Sequence, residues 1–109
     1  MPRAQARIDL AAFARNLQRL REAAPHSQQL AVVKADAYGH GLLPMARAAR
    51  EAGAEWLGVA LFSEAIELRA AGDTGPLLAW LAAPDDPWAE LAEAGIDIGV
   101  STVAQLQRL

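Results

Sequence analysis

The chain has 109 residues, a hydrophobic fraction of 53%, a net charge of -3 and no cysteine. That is enough apolar material for one modest domain, without the basic field that a nucleic acid or an anionic membrane would require. A disulfide framework and a thiolate metal site are excluded outright, and the composition suits a reducing cytoplasm, the expected location.

Asp9 is placed as an N-cap, since Leu10, Phe13, Leu17 and Leu20 follow at helical spacing and Ile8 can staple against Phe13, with Pro25 closing the helix. Leu30-Ala31-Val32-Val33-Lys34 is an apolar run without polar alternation, the signature of a strand covered on both faces. The glycines at 39 and 41 make a turn, and Leu42 to Ala52 reads as a helix that tolerates Pro44 in its first turn and stops at Gly53.

The unit then repeats. Trp56 to Ala60 is a strand, Ser63 a cap, and Glu64 to Ala71 a helix stopped by Gly72. Leu77 to Leu81 is the third strand, followed by Asp86 as cap, Pro87 at the first helical position, and Trp88 to Ala94 ended by Gly95. Ile96 to Val100 is the fourth strand, and Ser101 or Thr102 caps a helix bearing Val103 and Leu106 that reaches Leu109 without a stop signal. Strands alternating with helices argue for right-handed crossovers and a parallel sheet, either an open doubly wound sheet or a barrel. A closed barrel of eight such units takes about 250 residues, so this chain supplies four of its strands. No apolar run reaches the roughly 20 residues needed to span a bilayer, and the N-terminal arginines lack the apolar core of a signal peptide.

The chemistry concentrates in Val33-Lys34-Ala35-Asp36-Ala37-Tyr38-Gly39-His40-Gly41, where an amine stands at the carboxyl end of a buried strand, the rim at which parallel α/β folds hold ligands. An arbitrary lysine there simply snorkels into water. An amine that attacks an aldehyde must instead be neutral for part of its cycle, which partial burial favours. Tyr38 offers a hydroxyl four residues on, and Gly39 and Gly41 allow close backbone approach. Asp36 reads as an Asx turn, His40 as loop support, and Glu64 and Glu67 as acidic residues favoured in the first turn of a helix. His26 and His40 lack a carboxylate cluster at ligand spacing, so no metal is expected. The three tryptophans, at 56, 80 and 88, are read as packing residues.

The string AVVKADAYGHG resembles the pyridoxal-phosphate attachment motif of alanine racemases. The resemblance extends upstream to ARIDLAAFARNLQRLR and downstream to GAEWLGVALFSEAIELRAAGDTGPLLAWL and GIDIGVSTVAQLQRL. It implies that residues 1–109 are the N-terminal part of a (β/α)8 barrel that binds pyridoxal 5'-phosphate, with the rest of the barrel and a β-rich domain absent. It implies that Lys34 holds the cofactor as an internal aldimine and acts as base on the D-alanine face, and that Tyr38 hydrogen-bonds the cofactor phosphate. The reaction implied is interconversion of L-alanine and D-alanine for peptidoglycan, by a homodimer whose active sites draw on both subunits. A broad-specificity amino-acid racemase is the nearest alternative. The family's two cofactor-facing arginines and its partner-subunit tyrosine base have no counterpart here, so negligible racemase activity is expected of the 109 residues alone. A second class is a non-catalytic half-barrel module. Four parallel strands leave open edges, for which self-association or aggregation is expected.

Overall fold

The computed structural model describes residues 3–109; Met1 and Pro2 lie outside the described residues. Four parallel strands, β1 (Leu30–Val32), β2 (Trp56–Val59), β3 (Leu77–Ala79) and β4 (Asp97–Ile98), form one sheet in the order β1-β2-β3-β4. The order never reverses. A doubly wound sheet requires a reversal to place helices on both faces, so the alternative left open by the sequence resolves to the singly wound arrangement of a barrel.

The strands are shorter than the sequence suggests, but their ladders continue past the ends: Val33 N–H donates to Gly58 O at 2.9 Å, Leu81 N–H to Ala60 O at 2.8 Å and Gly99 N–H to Ala79 O at 2.8 Å. The register pairs Ala31 with Leu57, Leu57 with Leu77 and Ala79 with Ile98. Of these, Ala31, Leu57, Leu77 and Ala79 are buried, and they form the core with Leu17, Met45, Ala49, Leu68 and Leu91 from the helices. The alternate residues Leu30 and Val32 are about 40% exposed on the other face. On that face Trp80 occupies the space left by two glycines. A Cβ on Gly58 would stand 2.8 Å from Trp80 Cζ3, and one on Gly99 would stand 2.9 Å from Trp80 Cα.

Helix α1 (Leu10–Ala23) begins as read, with Asp9 accepting from Ala12 N–H at 2.9 Å. After a short helical turn α2 (Lys34–Tyr38) come α3 (Leu42–Glu51), α4 (Phe62–Ala70), α5 (Trp88–Glu93) and α6 (Val103–Arg108). Helices α3, α4 and α5 end identically: a glycine at 53, 72 or 95 turns left-handed, and the next N–H closes back on Ala49 O, Leu68 O or Leu91 O. Thr102 caps α6, with Gln105 reaching back to the cap N–H.

Two expected caps differ. Ser63 lies inside α4, whose first residue is Phe62, because Glu64 reaches back to Leu61 N–H and starts the helix earlier. Asp86 does not cap α5; its carboxylate accepts from Ala83 N–H within the preceding loop.

The end of the sheet where the strands begin is fastened by arginines from the last turns of the helices. Arg21 reaches Gly53 O and Glu55; Arg50 reaches Glu55 O, Pro76 O and both oxygens of Asp73; Arg69 reaches Gly75 O, Ala94 O and Gly95 O. Each guanidinium ties its own helix to the loops entering the following strands, using the planar fork that suits several acceptors at once.

Candidate functional site

Lys34 is the only lysine and Tyr38 the only tyrosine of the sequence. The burial alternation runs from exposed Leu30 through buried Ala31, exposed Val32 and buried Val33 to half-exposed Lys34. Lys34 therefore falls on the side of the sheet that the helices leave uncovered, at the carboxyl ends of the strands. Its Nζ lies 5.7 Å from the centroid of the Tyr38 ring, and Tyr38 itself is 61% exposed. The structure thus brings these two residues together. Lys34 joins none of the ion pairs formed among the described residues, and the Tyr38 hydroxyl makes no hydrogen bond there.

The backbone between them is unusual. Ala35, Asp36, Ala37 and Tyr38 have φ of 53, 56, 52 and 56°, so α2 is a left-handed helical turn made of four non-glycine residues. Each such residue costs about 1–2 kcal/mol, and the conformation persists only where the surroundings determine it fully. Here they do. Ala37 N–H donates to Val33 O at 2.9 Å, Gly39 N–H to Ala35 O at 3.2 Å and Gly41 N–H to Asp36 O at 2.9 Å. Asp36 Oδ1 accepts from Leu42 N–H at 2.8 Å, capping α3 from outside it, since Gly41 has no side chain to do so. His40 Nδ1–H donates to Ala37 O at 2.9 Å and so supports the loop.

From the sequence, Glu64 is an acidic residue accounted for by the helix dipole and solvent exposure. In the structure its Oε1 accepts from Leu61 N–H at 2.9 Å and its Oε2 from Ala35 N–H at 2.6 Å, joining the start of α4 to the residue after Lys34. Glu67 is exposed, as an acidic residue of a solvated helix face. The link from 64 to 35 spans 29 residues. The only signal for it in the sequence is the third-position glutamate of a helix whose cap residue, leucine, cannot bond to the backbone itself.

An unpaired primary amine at the strand rim, a free phenol beside it and the loop glycines that follow suit an aldehyde cofactor bearing a phosphate. The amine can bond covalently to the carbonyl carbon, and the phenol can donate to a phosphate oxygen. Among the described residues no three His, Asp or Glu side chains converge as a metal site, and no helix is long and apolar enough to cross a membrane.

A singly wound parallel β/α sheet, with the one lysine of the sequence at its carboxyl rim, is the architecture of a segment of a β/α barrel. The chain matches the family described as alanine racemase, N-terminal domain, over residues 8–109, and it belongs to that family. It is 52% identical over 100 residues to an alanine racemase of Thermobifida fusca, covering 92% of this chain and 27% of that protein. Among solved structures, an alanine racemase from Streptomyces lavendulae superposes with a TM-score of 0.90 at 52% identity, covering 93% of this chain and 26% of the other. One from Bartonella henselae, described with covalently bound pyridoxal phosphate, gives 0.76 at 30% identity over 84% of this chain and 27% of the other. The chain thus spans about a quarter of the length of the relatives it matches.

Proposed function

We propose that this chain is the cofactor-bearing leading segment of a pyridoxal-phosphate-dependent alanine racemase, with Lys34 as the residue that holds the cofactor and Tyr38 as a ligand of its phosphate. The observation that supports it most directly is the single side-chain amine of the sequence, in no ion pair among the described residues, at the carboxyl rim of a singly wound sheet and next to the only phenol. Pyridoxal phosphate supplies an electron sink for the substrate's α-carbon. Lys34 Nζ would anchor it and, once displaced by the substrate's own amine, would act as a neutral amine that takes the α-proton from one face of the substrate, with a group outside this segment delivering a proton to the opposite face. Tyr38 Oη orients the phosphate. The left-handed turn sets the spacing between the two side chains. In this reading residues 1–109 form one piece of a barrel domain, the protein acts on alanine in the cytoplasm as a homodimer, and groups outside this segment complete the second face of the site.

Borohydride reduction after incubation with pyridoxal phosphate, read by peptide mass, tests the assignment. Lys34 should acquire the pyridoxyl group about tenfold faster in the folded chain than in urea, with the N-terminal amine as internal reference, and Lys34→Ala should lose that adduct. Equal rates folded and unfolded would reduce Lys34 to an ordinary surface amine. For the reaction itself, residues 8–109 grafted in place of the matching segment of the Thermobifida fusca enzyme should support conversion of L-alanine to D-alanine, and the Lys34→Ala graft should not. A folded graft that binds the cofactor without turning over alanine refutes the substrate.

A further inference from the structure

We infer that Glu64 is a positioning residue for Lys34, an inference that rests on the cofactor-holding role proposed for that lysine. The last ladder bond before Lys34 is Val33 N–H to Gly58 O at 2.9 Å. Val33 then leaves strand geometry at φ -122° and ψ 21°, and Ala35 enters the left-handed region at φ 53°. The first N–H groups of a helical turn have no acceptor inside the turn. Ala35 N–H is one of these, and Glu64 Oε2 takes it at 2.6 Å. Because Oε1 of the same carboxylate is fixed on Leu61 N–H at 2.9 Å, the group is anchored to the junction of β2 and α4. Lys34 is therefore clamped on both sides by the second β/α unit, through Val33 N–H before it and Ala35 N–H after it. The direction in which Nζ leaves the rim follows from those two ties.

Only a carboxylate of this length performs the task. It presents two acceptors and no donor to two converging N–H groups. A glutamine has one acceptor and turns its NH2 donors towards one of the two N–H groups, and an aspartate is one methylene short of spanning both.

The test uses the 109-residue chain with and without pyridoxal phosphate. Without it, Glu64→Gln should lower the hydrogen-exchange protection of the Ala35 amide about tenfold while leaving that of Val33 unchanged. With it, the rate at which borohydride-fixed pyridoxyl accumulates on Lys34, relative to the N-terminal amine, should fall about fivefold. A second variant separates positioning from helix stability: Leu61→Asp combined with Glu64→Gln gives α4 a side-chain cap but offers nothing to Ala35. The double variant should stay slow; recovery of the wild-type rate would show that Glu64 serves only α4 and would overturn the inference. So would Glu64→Gln with wild-type exchange at Ala35 or a wild-type adduct rate. If the wild-type chain itself shows no preference for Lys34 over the N-terminal amine, the cofactor-holding reading falls, and the inference with it.

Discussion

Replacing Ala35 by glycine should stabilise the turn after β1, the reverse of what the same change does in an ordinary helix. Ala35 sits at φ 53° and ψ 51° and is exposed, so the change removes no buried contact. Its left-handed backbone costs about 1–2 kcal/mol for an L residue and nothing for glycine. Against that gain stands the extra freedom of glycine in the unfolded chain, about 0.4–1 kcal/mol. The balance favours the variant by about 0.5–1 kcal/mol, whereas in a right-handed helix Ala→Gly would cost about 1 kcal/mol. Native-state hydrogen exchange reads the difference at the Gly39 amide, which donates to Ala35 O, and at the Gly41 amide, which donates to Asp36 O. Their protection should rise about two- to fivefold in Ala35→Gly. The exposed residue Arg15, within α1, supplies the reference: Arg15→Gly should lower the protection of α1 amides relative to Arg15→Ala. Lower protection at 39 and 41 in Ala35→Gly would refute the left-handed turn.

The hydrogen bond from Arg21, helped by Gln29 N–H, holds the Glu55 carboxyl down from 4.5 to about 2. Depressed in the folded state, Glu55 contributes stability that is fully present above the ordinary carboxylate value and is lost as pH falls from about 4.5 towards about 2. Thermal midpoints across that range should therefore fall more steeply for wild type than for Glu55→Gln; parallel curves would refute the tie. On the helix-free face, a Cβ on Gly99 meets Trp80 Cα, which is backbone and cannot swing aside, while a Cβ on Gly58 meets the outer atoms of Leu30 and Trp80. Gly99→Ala should cost about 1–3 kcal/mol in urea unfolding and Gly58→Ala less, with tryptophan fluorescence shifted in both; the opposite order would contradict the packing of Trp80.

The four repeated units were legible because each carries its own punctuation: an apolar run, then a helix that in the first three ends on glycine at 53, 72 or 95 and in the fourth starts at the Thr102 cap. Their order in the sheet was not, because hydrophobic pattern reports which faces a strand buries and says nothing about its neighbours. The lysine loop was found from its residues, yet its handedness was invisible. Ala-Asp-Ala-Tyr contains nothing that favours positive φ four times running, and what holds it there is tertiary: Glu64 from the second unit, and Asp36 bonded to the start of α3. The same contact explains the misplaced cap at Ser63. A hydroxyl at that position is a good local candidate, but a glutamate one residue later already serves Leu61 N–H.

The fastening of the strand-entry end by arginine also has a bearing on selectivity. Nine of the ten cationic side chains are guanidinium groups, which stay protonated at any biological pH and do not condense with aldehydes as an amine does. Had Arg21, Arg50 and Arg69 been lysines, three further amines would compete for every carbonyl compound that reached the protein. With arginine as the structural rivet, the segment keeps its mechanical strength and its carbonyl reactivity in separate kinds of nitrogen at opposite ends of the sheet, and Lys34 is the only side-chain amine a reactive aldehyde can find.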